Sequence, residues 1–449
     1  MKFKLEINEK KDLIKYIKKE KIKFLSLSYV GVDSNLKSLT FVCNDLDYIN
    51  LLLSSSVRIA SVFLHEKISV QPALLFPSYE RVFLNPFSTH PMVHILCKIK
   101  DKTHSLSPYA PDTILMKANE KLEETGIKVK VGGELEYYVL YNKDEMFFPT
   151  FKKQYHSTSP FTLYESMRNE ALDLLSHLGI QVKYGHSESG KLMFTKNLVA
   201  EQHEVEFLPT PVLQAALDLV LGRWVICNLA QKYKVHTTFA PIIKYNSPGN
   251  GLHLHLELLK NTKNVVKTKK NSLSSYSFQA IAGLLRFSPS LCVFGNAHPL
   301  SYYRLASKKD TPSSISWGEE SRKELIRIPL QDITPPTIEF RAPDGCAVIP
   351  LLLAGVLVAL RYGLKMAKNS KKWTSRFYFQ EKENQNLPQT HKKAIKELNK
   401  MRKYYEEEGV FPKETLDSII LDLNSYENLP LSSLINRYLF YFPFTFSSD

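Results

Sequence analysis

The chain has 449 residues, 44% of them hydrophobic and 23% charged. That is ordinary globular composition, long enough for two or three domains and a large unstapled core, which excludes disordered, collagen-like and mini-protein classes. Fifty-nine Lys and Arg against 45 Asp and Glu leave a net charge of +14, which favours anionic partners: nucleotides, nucleic acid or a membrane surface.

The opening MKFKLEINEKKDL is too charged for a signal peptide. From Ile22 to Val42, β-rich runs broken by Gly31, Asp33, Ser34 and Asn35 predict two strands and a turn. Met92 to Ile99 predicts a further strand. The polar stretch from Asp101 to Pro111 is the best boundary, so the expected domains are 1–104 and 105–449, with 370–449 as a divergent C-terminal region. Asp112 is placed to cap a helix reaching about Thr125. Next come a strand at VGGELEYYVL, a helix over Tyr164 to Leu178 and a strand at IQVKYGHS. A long helix over Val212 to Lys232, a strand at GLHLHLEL and a helix over Ser277 to Leu285 follow. The apolar run from Ala347 to Leu360 falls short of the roughly 20 residues that a membrane span needs. His391 to Glu408 reads as a charged surface helix. Cys43, Cys97, Cys227, Cys292 and Cys346 are scattered without CxxC spacing, so neither a disulfide framework nor a zinc site is indicated. The expected setting is reduced and cytoplasmic.

Several polar groups interrupt the apolar pattern. Glu134 and Glu136 lie two apart on one strand and share a face, either a solvated face or one held by a cation. His253, His255 and Glu257 share the strand face opposite Leu252, Leu254, Leu256 and Leu258. That is either a polar outer face or a set of metal or phosphate ligands. Gln202 to Glu206 alternates in the same way. Arg304, Arg322, Arg327 and Arg341 form a series suited to bidentate binding of carboxylate or phosphate, and Glu339 shares a face with Arg341. Gly185 to Lys191 has the GxxxxGK spacing of a phosphate loop. Leu192 stands where a magnesium-binding Ser or Thr belongs, Glu188 would oppose phosphate, and no helix start follows, so that motif is rejected.

In this order the segments resemble the glutamine synthetase superfamily. GGELEYYVL resembles its G-x-E-x-E-F strand. HSE (186–188) and QHE (202–204) resemble its H-H-E and Q-x-E pair. TTFAPI and PGNGLHLH resemble T-F-M-P-K-P and G-S-G-x-H-x-H. SYYRL, SRKELIRIP and IEFRAPD resemble N-S-Y-K-R-L, N-R-S-x-x-I-R-I-P and I-E-x-R-x-P-D. The resemblance implies an α+β fold, with a β-grasp-like N-terminal domain and a large catalytic domain built on a curved antiparallel sheet. It implies an ATP-dependent ligase that activates the γ-carboxylate of glutamate as γ-glutamyl phosphate, with two Mg2+ or Mn2+ ions per site. Carried over residue by residue, one ion falls to Glu136, Glu188 and Glu204, and the other to Glu134, His253 and Glu339. Gly249, Arg304 and Arg341 would bind glutamate, and His255, Arg322 and Arg327 would meet ATP. Asp310, Arg322 and Glu188 would be catalytic, Asp310 on a flap that excludes water. Assembly into hexameric rings, stacked as a dodecamer, is also implied.

The departures concern the periphery. Leu53 aligns with an aspartate that binds ammonium, Pro248 with an asparagine, Asp310 with a longer glutamate, Glu257 with a nucleotide-contacting serine, and Thr334 and Thr337 with basic residues. Ammonia is the default acceptor. An organic amine giving a γ-glutamylamine, or a catalytically weak regulatory paralogue, are the other readings. Nucleic acid is not expected as a partner despite the charge, because basic and aromatic residues are not interleaved. A membrane is not expected either.

Overall fold

The computed structural model describes residues 2–60, 72–143, 154–244, 246–307, 311–319, 322–330, 334–366, 369–378, 385–427 and 434. The N-terminal part is a small sheet of β1 (Lys4–Leu5), β2 (Phe24–Val30), β3 (Leu36–Val42), β4 (Val57–Ile59), β5 (Ala73–Leu84) and β6 (Met92–Lys100). The strand order is β1-β5-β6-β2-β3, with β4 beside β5 and only β2–β6 parallel. The expected hairpin forms as β2–β3, its turn closed by Ser34 N donating to Gly31 O. Helices α1 (Lys10–Lys19) and α2 (Leu46–Ser54) bury Leu13, Ile17, Ile49, Leu52 and Leu53 in one cluster with Leu25, Leu27 and Ile95 of the sheet.

The loop from 101 to 110, which contains the expected boundary, leads to α3 (Pro111–Glu123). Asp112 does not cap this helix. Ala110 is the N-cap residue, and Pro111 supplies the first turn, where its fixed φ and missing N–H cost nothing.

The larger part is built on β7 (Lys128–Asn142), β8 (Val182–Met193), β9 (Leu198–Pro211), β10 (His236–Thr238), β11 (Leu252–Lys260), β12 (Lys263–Asn264), β13 (Trp317–Glu319), β14 (Ile326–Ile328) and β15 (Ile338–Phe340). They form one curved sheet, ordered β13-β14-β15-β11-β7-β9-β8, antiparallel except for β13–β14. With the helices around it, this is the expected α+β fold. Helices α4 (Glu165–His177), α5 (Val212–Lys232), α6 (Ser275–Gly295), α7 (Pro299–Ala306), α8 (Ile349–Lys365), α9 (Ser370–Ser375), α10 (His391–Glu406) and α11 (Lys413–Asn424) complete it.

Two helices differ from expectation for identifiable reasons. α6 runs ten residues past Leu285, through Pro289. Proline removes the donor for the carbonyl four residues earlier, and Ser288 Oγ donates to that Leu285 oxygen instead, at 3.0 Å. α10 is not simply a surface helix. Ala394, Leu398, Met401 and Tyr405 are buried, and Tyr405 OH bonds Ser290 Oγ of α6 at 2.7 Å. By length and composition α5 and α6 could each cross a membrane, a property missed in the sequence, but their apolar windows are 67% and 78% buried within the protein's own core.

α6 and α8 approach through glycine. A Cβ on Gly283 would lie 2.0 Å from Ala359 O, and one on Gly363 would lie 2.0 Å from Gln279 O. Gly283→Ala must therefore push two core helices apart. Overpacking of this kind costs about 1–3 kcal/mol. The expected outcome is a clearly lower melting temperature by circular dichroism. A variant that melts with the parent would contradict this packing.

Candidate functional site

Strand register gathers the polar residues. Glu134 on β7 stands opposite Glu206 on β9 and His253 on β11, and Glu136 stands opposite Glu204. Glu204 in turn faces His186 on β8. Glu339 on β15 pairs with His255 on one side and Arg327 on the other. Leu252, Leu254, Leu256 and Leu258 are fully buried on the opposite face of β11, so the alternation seen in the sequence fixes which residues open into the cleft. The cleft has a volume of about 410 Å³ and is lined by His186, His253 and His255, by five glutamates of β7, β8 and β9, and by Arg304, Arg322, Arg327 and Arg341.

Three groups of ligand-type atoms lie within 4.8 Å of one another: Glu134, His253 and Glu339; His186, Glu188 and Glu204; and Glu134, Glu206 and His255. His253 Nδ1 is 2.5 Å from Glu134 Oε2 and 3.7 Å from Glu339 Oε1. His255 Nε2 is 2.7 Å from Glu134 Oε1, and its Nδ1 is 3.1 Å from Thr337 Oγ1. Glu339 is held from both sides, by Arg341 Nη1 at 2.5 Å and Arg327 Nη1 at 2.9 Å. Glu136 Oε2 accepts from the Gly251 N–H at 2.8 Å and from Gln202 Nε2 at 3.3 Å. Oxygen-rich groups with one imidazole suit hard divalent cations such as Mg2+ or Mn2+.

The electrostatics follow from this crowding. Burial, followed by the charges of Glu134, Glu136, Glu188 and Glu206, pushes the Glu204 carboxyl well above its ordinary range. Burial also raises Glu136 and Glu188. Burial opposes ionisation of Glu134 too, but His253 and His255 hold it well below the usual carboxylate range. The counterpart is His255. Burial disfavours its charge, yet the Glu134 carboxylate raises it to about 9.

The remaining expected residues fall around this centre. Arg304 is buried, lines the cleft and donates to Ala342 O at 2.9 Å. Gly249 lets it pass, since a Cβ there would sit 2.9 Å from Arg304 Cγ and 2.4 Å from Pro241 O. Arg322 donates to Tyr155 OH at 3.1 Å. Asp310 lies outside the described residues. His186 joins Glu188 and Glu204, whereas Glu136 is held by Gly251 and Gln202 beside them. Leu53 does not face the cleft; it is 7% exposed within the small-domain core. The rejected phosphate loop is part of strand β8.

Sequence reasoning named Gln202, Glu206 and Thr337 without giving them a role in the site, and it missed Lys183. Glu206 had a usable signal, two residues beyond Glu204 on one strand face. Lys183 had none, because its position depends on a strand irregularity. Glu201 and His203 belong to a network outside the cleft. Glu201 meets Lys191 Nζ at 3.0 Å and His203 Nε2 at 3.0 Å, and His203 Nδ1 lies 2.9 Å from Arg168 Nη1. Despite burial, the His203 hydrogen bond and its other partners hold Glu201 down at about 2. Its stabilisation is therefore complete above the ordinary glutamate range and is lost as pH falls towards 2. Glu201→Gln leaves Lys191 without its counter-charge, which costs about 3–5 kcal/mol. The melting-temperature gap to the parent should be wide at pH 7 and narrow between pH 5 and pH 3; a gap independent of pH would refute the assignment.

Residues 108–436 match the family model described as the glutamine synthetase catalytic domain, well into the C-terminal stretch that the sequence left unassigned. A glutamine synthetase of Pyrococcus horikoshii is 32% identical over 263 residues, 58% of this chain and 57% of the relative. One of Clostridium saccharobutylicum is 26% identical over 371 residues, 79% and 80% of the two chains. The match thus spans little more than half the length of the first of these relatives. In fold, the chain superposes on a cryo-EM structure of Plasmodium falciparum glutamine synthetase with a TM-score of 0.81 at 20% identity, covering 99% of this chain and all of that one. With the family model matched over most of its length and the glutamates and histidines of the cleft on the strands where the motifs fall, the chain belongs to the glutamine synthetase family.

Proposed function

We propose that this chain is an ATP-dependent ligase that joins ammonia to the γ-carboxylate of glutamate through γ-glutamyl phosphate. The observation that carries this reading is one cleft in which two carboxylate–imidazole groups face four arginines. Attack of a carboxylate on a phosphate brings anions together, which needs both metal ligands and fixed cations.

Glu134, His253 and Glu339 hold one Mg2+ or Mn2+, and Glu136, Glu188 and Glu204 hold the second, with His186 beside it. When bound, the ions neutralise charge as the two anions approach. Arg304 and Arg341, with the open backbone at Gly249, hold the glutamate. His255, whose Nε2 bonds Glu134 Oε1, and Arg327 face the ATP phosphates. Arg322 meets the transferring phosphoryl group. A γ-carboxylate oxygen bonds to the γ-phosphorus as ADP leaves. Ammonia then attacks the acyl carbon and phosphate departs, carrying that oxygen. Glu188 and Asp310 help capture ammonium and remove its proton.

Ammonia, the default acceptor, is the one proposed: the ammonium-binding aspartate is replaced by Leu53, but Leu53 lies in the small-domain core and offers no apolar contact to an organic amine. The glutamates that suit metal ions also attract ammonium. Assembly into six-membered rings, stacked in pairs, is part of the proposal; exposed Val42, Tyr48 and Leu51 on the small domain support such a contact. The five free cysteines support a cytoplasmic setting.

Phosphate release should require glutamate, ATP, a divalent ion and ammonium together. Saturable use of an alkylamine with no response to ammonium would transfer the assignment to a γ-glutamylamine ligase, and no turnover with any amine would leave a regulatory paralogue. Arg322→Ala should lower kcat about a hundredfold, or roughly 3 kcal/mol, with little change in KM for glutamate. Unchanged kcat would refute its role.

A further inference from the structure

In the third group, Glu134, Glu206 and His255, the first and last have roles above and Glu206 has none, and the ligand-type atoms of all three lie within 4.8 Å of one another. Glu206 is 4% exposed, and its Oε2 is buried with no hydrogen-bond partner. A buried carboxylate oxygen left so costs free energy unless a positive charge compensates it. Its other oxygen, Oε1, is taken by Lys183 Nζ at 2.8 Å.

Lys183 reaches that position through a break in strand register. Val182 pairs with Phe207 and Tyr184 with Glu206, so two steps along β8 oppose one along β9, and Lys183 is the extra residue. In a regular strand Lys183 and Tyr184 would point to opposite faces. At this bulge both turn towards the cleft, with Lys183 Nζ 4.9 Å from the Tyr184 ring centroid. The result is an ammonium ion tethered to Glu206 in the cleft that Glu134 and His255 also line.

We propose that Lys183 stands in for a third divalent ion: its ammonium occupies the cation position of the Glu134–Glu206–His255 group, so each site takes two ions and not three. The lysine then supplies to the nucleotide's phosphates a point charge that cannot dissociate. This rests on the ligase reading for the identity of the ligand, but the metal count can be tested without turnover.

The test is Mn2+ stoichiometry on the full chain, by titration calorimetry and by the electron paramagnetic resonance of unbound Mn2+. The parent should bind two ions per chain. Lys183→Met should bind three, because Glu206 loses its fixed partner. Adding Glu206→Gln to that variant should return the count to two, and Lys183→Arg should keep it at two. Lys183→Gln replaces the methionine variant if circular dichroism shows that the latter is unfolded. Two ions in both parent and Lys183→Met, or three in the parent, would overturn the assignment of Lys183 and leave the ligase reading intact. No bound ion in any of them would remove the two-ion reading itself, and this inference with it.

Discussion

Antiparallel pairing of β7 with β9 and β11 sets Glu134 against Glu206 and His253, and Glu136 against Glu204. Like charges directly opposite one another on a sheet are destabilising, and burial makes them more so. The fold meets this locally. His253 and His255 lean on Glu134, Arg327 and Arg341 clamp Glu339, and Lys183 takes Glu206. Among the described residues Glu204 has no equally close cation, only His186 Nε2 at 3.7 Å, and its carboxyl is the one pushed well above the ordinary range. The carboxylates around Glu204 are therefore the part of the cleft left to receive further positive charge.

The remainder of the large domain keeps that crowding in register. Slipping β7 or β11 by one residue would turn the carboxylates into the core and the leucines into the cleft. The leucine face of β11 and the 21-residue helices α5 and α6 make the slip costly, because each contributes buried apolar surface on the other side of the sheet. Glu201, His203, Arg168 and Lys191 add a second network at β9, in which Glu201 meets both Lys191 and His203. The small domain is tied to this frame where Ile349 N, at the start of α8, donates to Ser34 Oγ in the β2–β3 turn at 2.7 Å.

What the sequence made legible follows from periodicity. Alternation of period two on β7, β9 and β11 was enough to place Glu134, Glu136, Glu204, His253 and His255 on common faces, and the motif order was enough for the α+β fold. Two kinds of information were out of reach. Pairing across strands is not written in any one strand, so the grouping of His186 with Glu204, or of Glu206 with His255, could not be read. Local irregularities were also hidden: the bulge that turns Lys183 into the cleft, and the Ser288 hydroxyl that lets α6 continue through Pro289. Leu53 shows the converse error. It was judged by its alignment to a binding residue, whereas its own surroundings, an apolar helix face, pointed to the core.

The central claim is that this cleft gathers cations in order to join a carboxylate to a phosphate. The most direct measurement follows the oxygen atoms. Glutamate labelled with ¹⁸O in its γ-carboxylate is turned over with ATP, ammonium and Mg2+, and the released phosphate is analysed by mass spectrometry. The account predicts one ¹⁸O in each phosphate, transferred from glutamate through the acyl phosphate. Phosphate carrying an oxygen from solvent and none from glutamate would mean that the cleft hydrolyses ATP without activating the carboxylate, and would contradict the account.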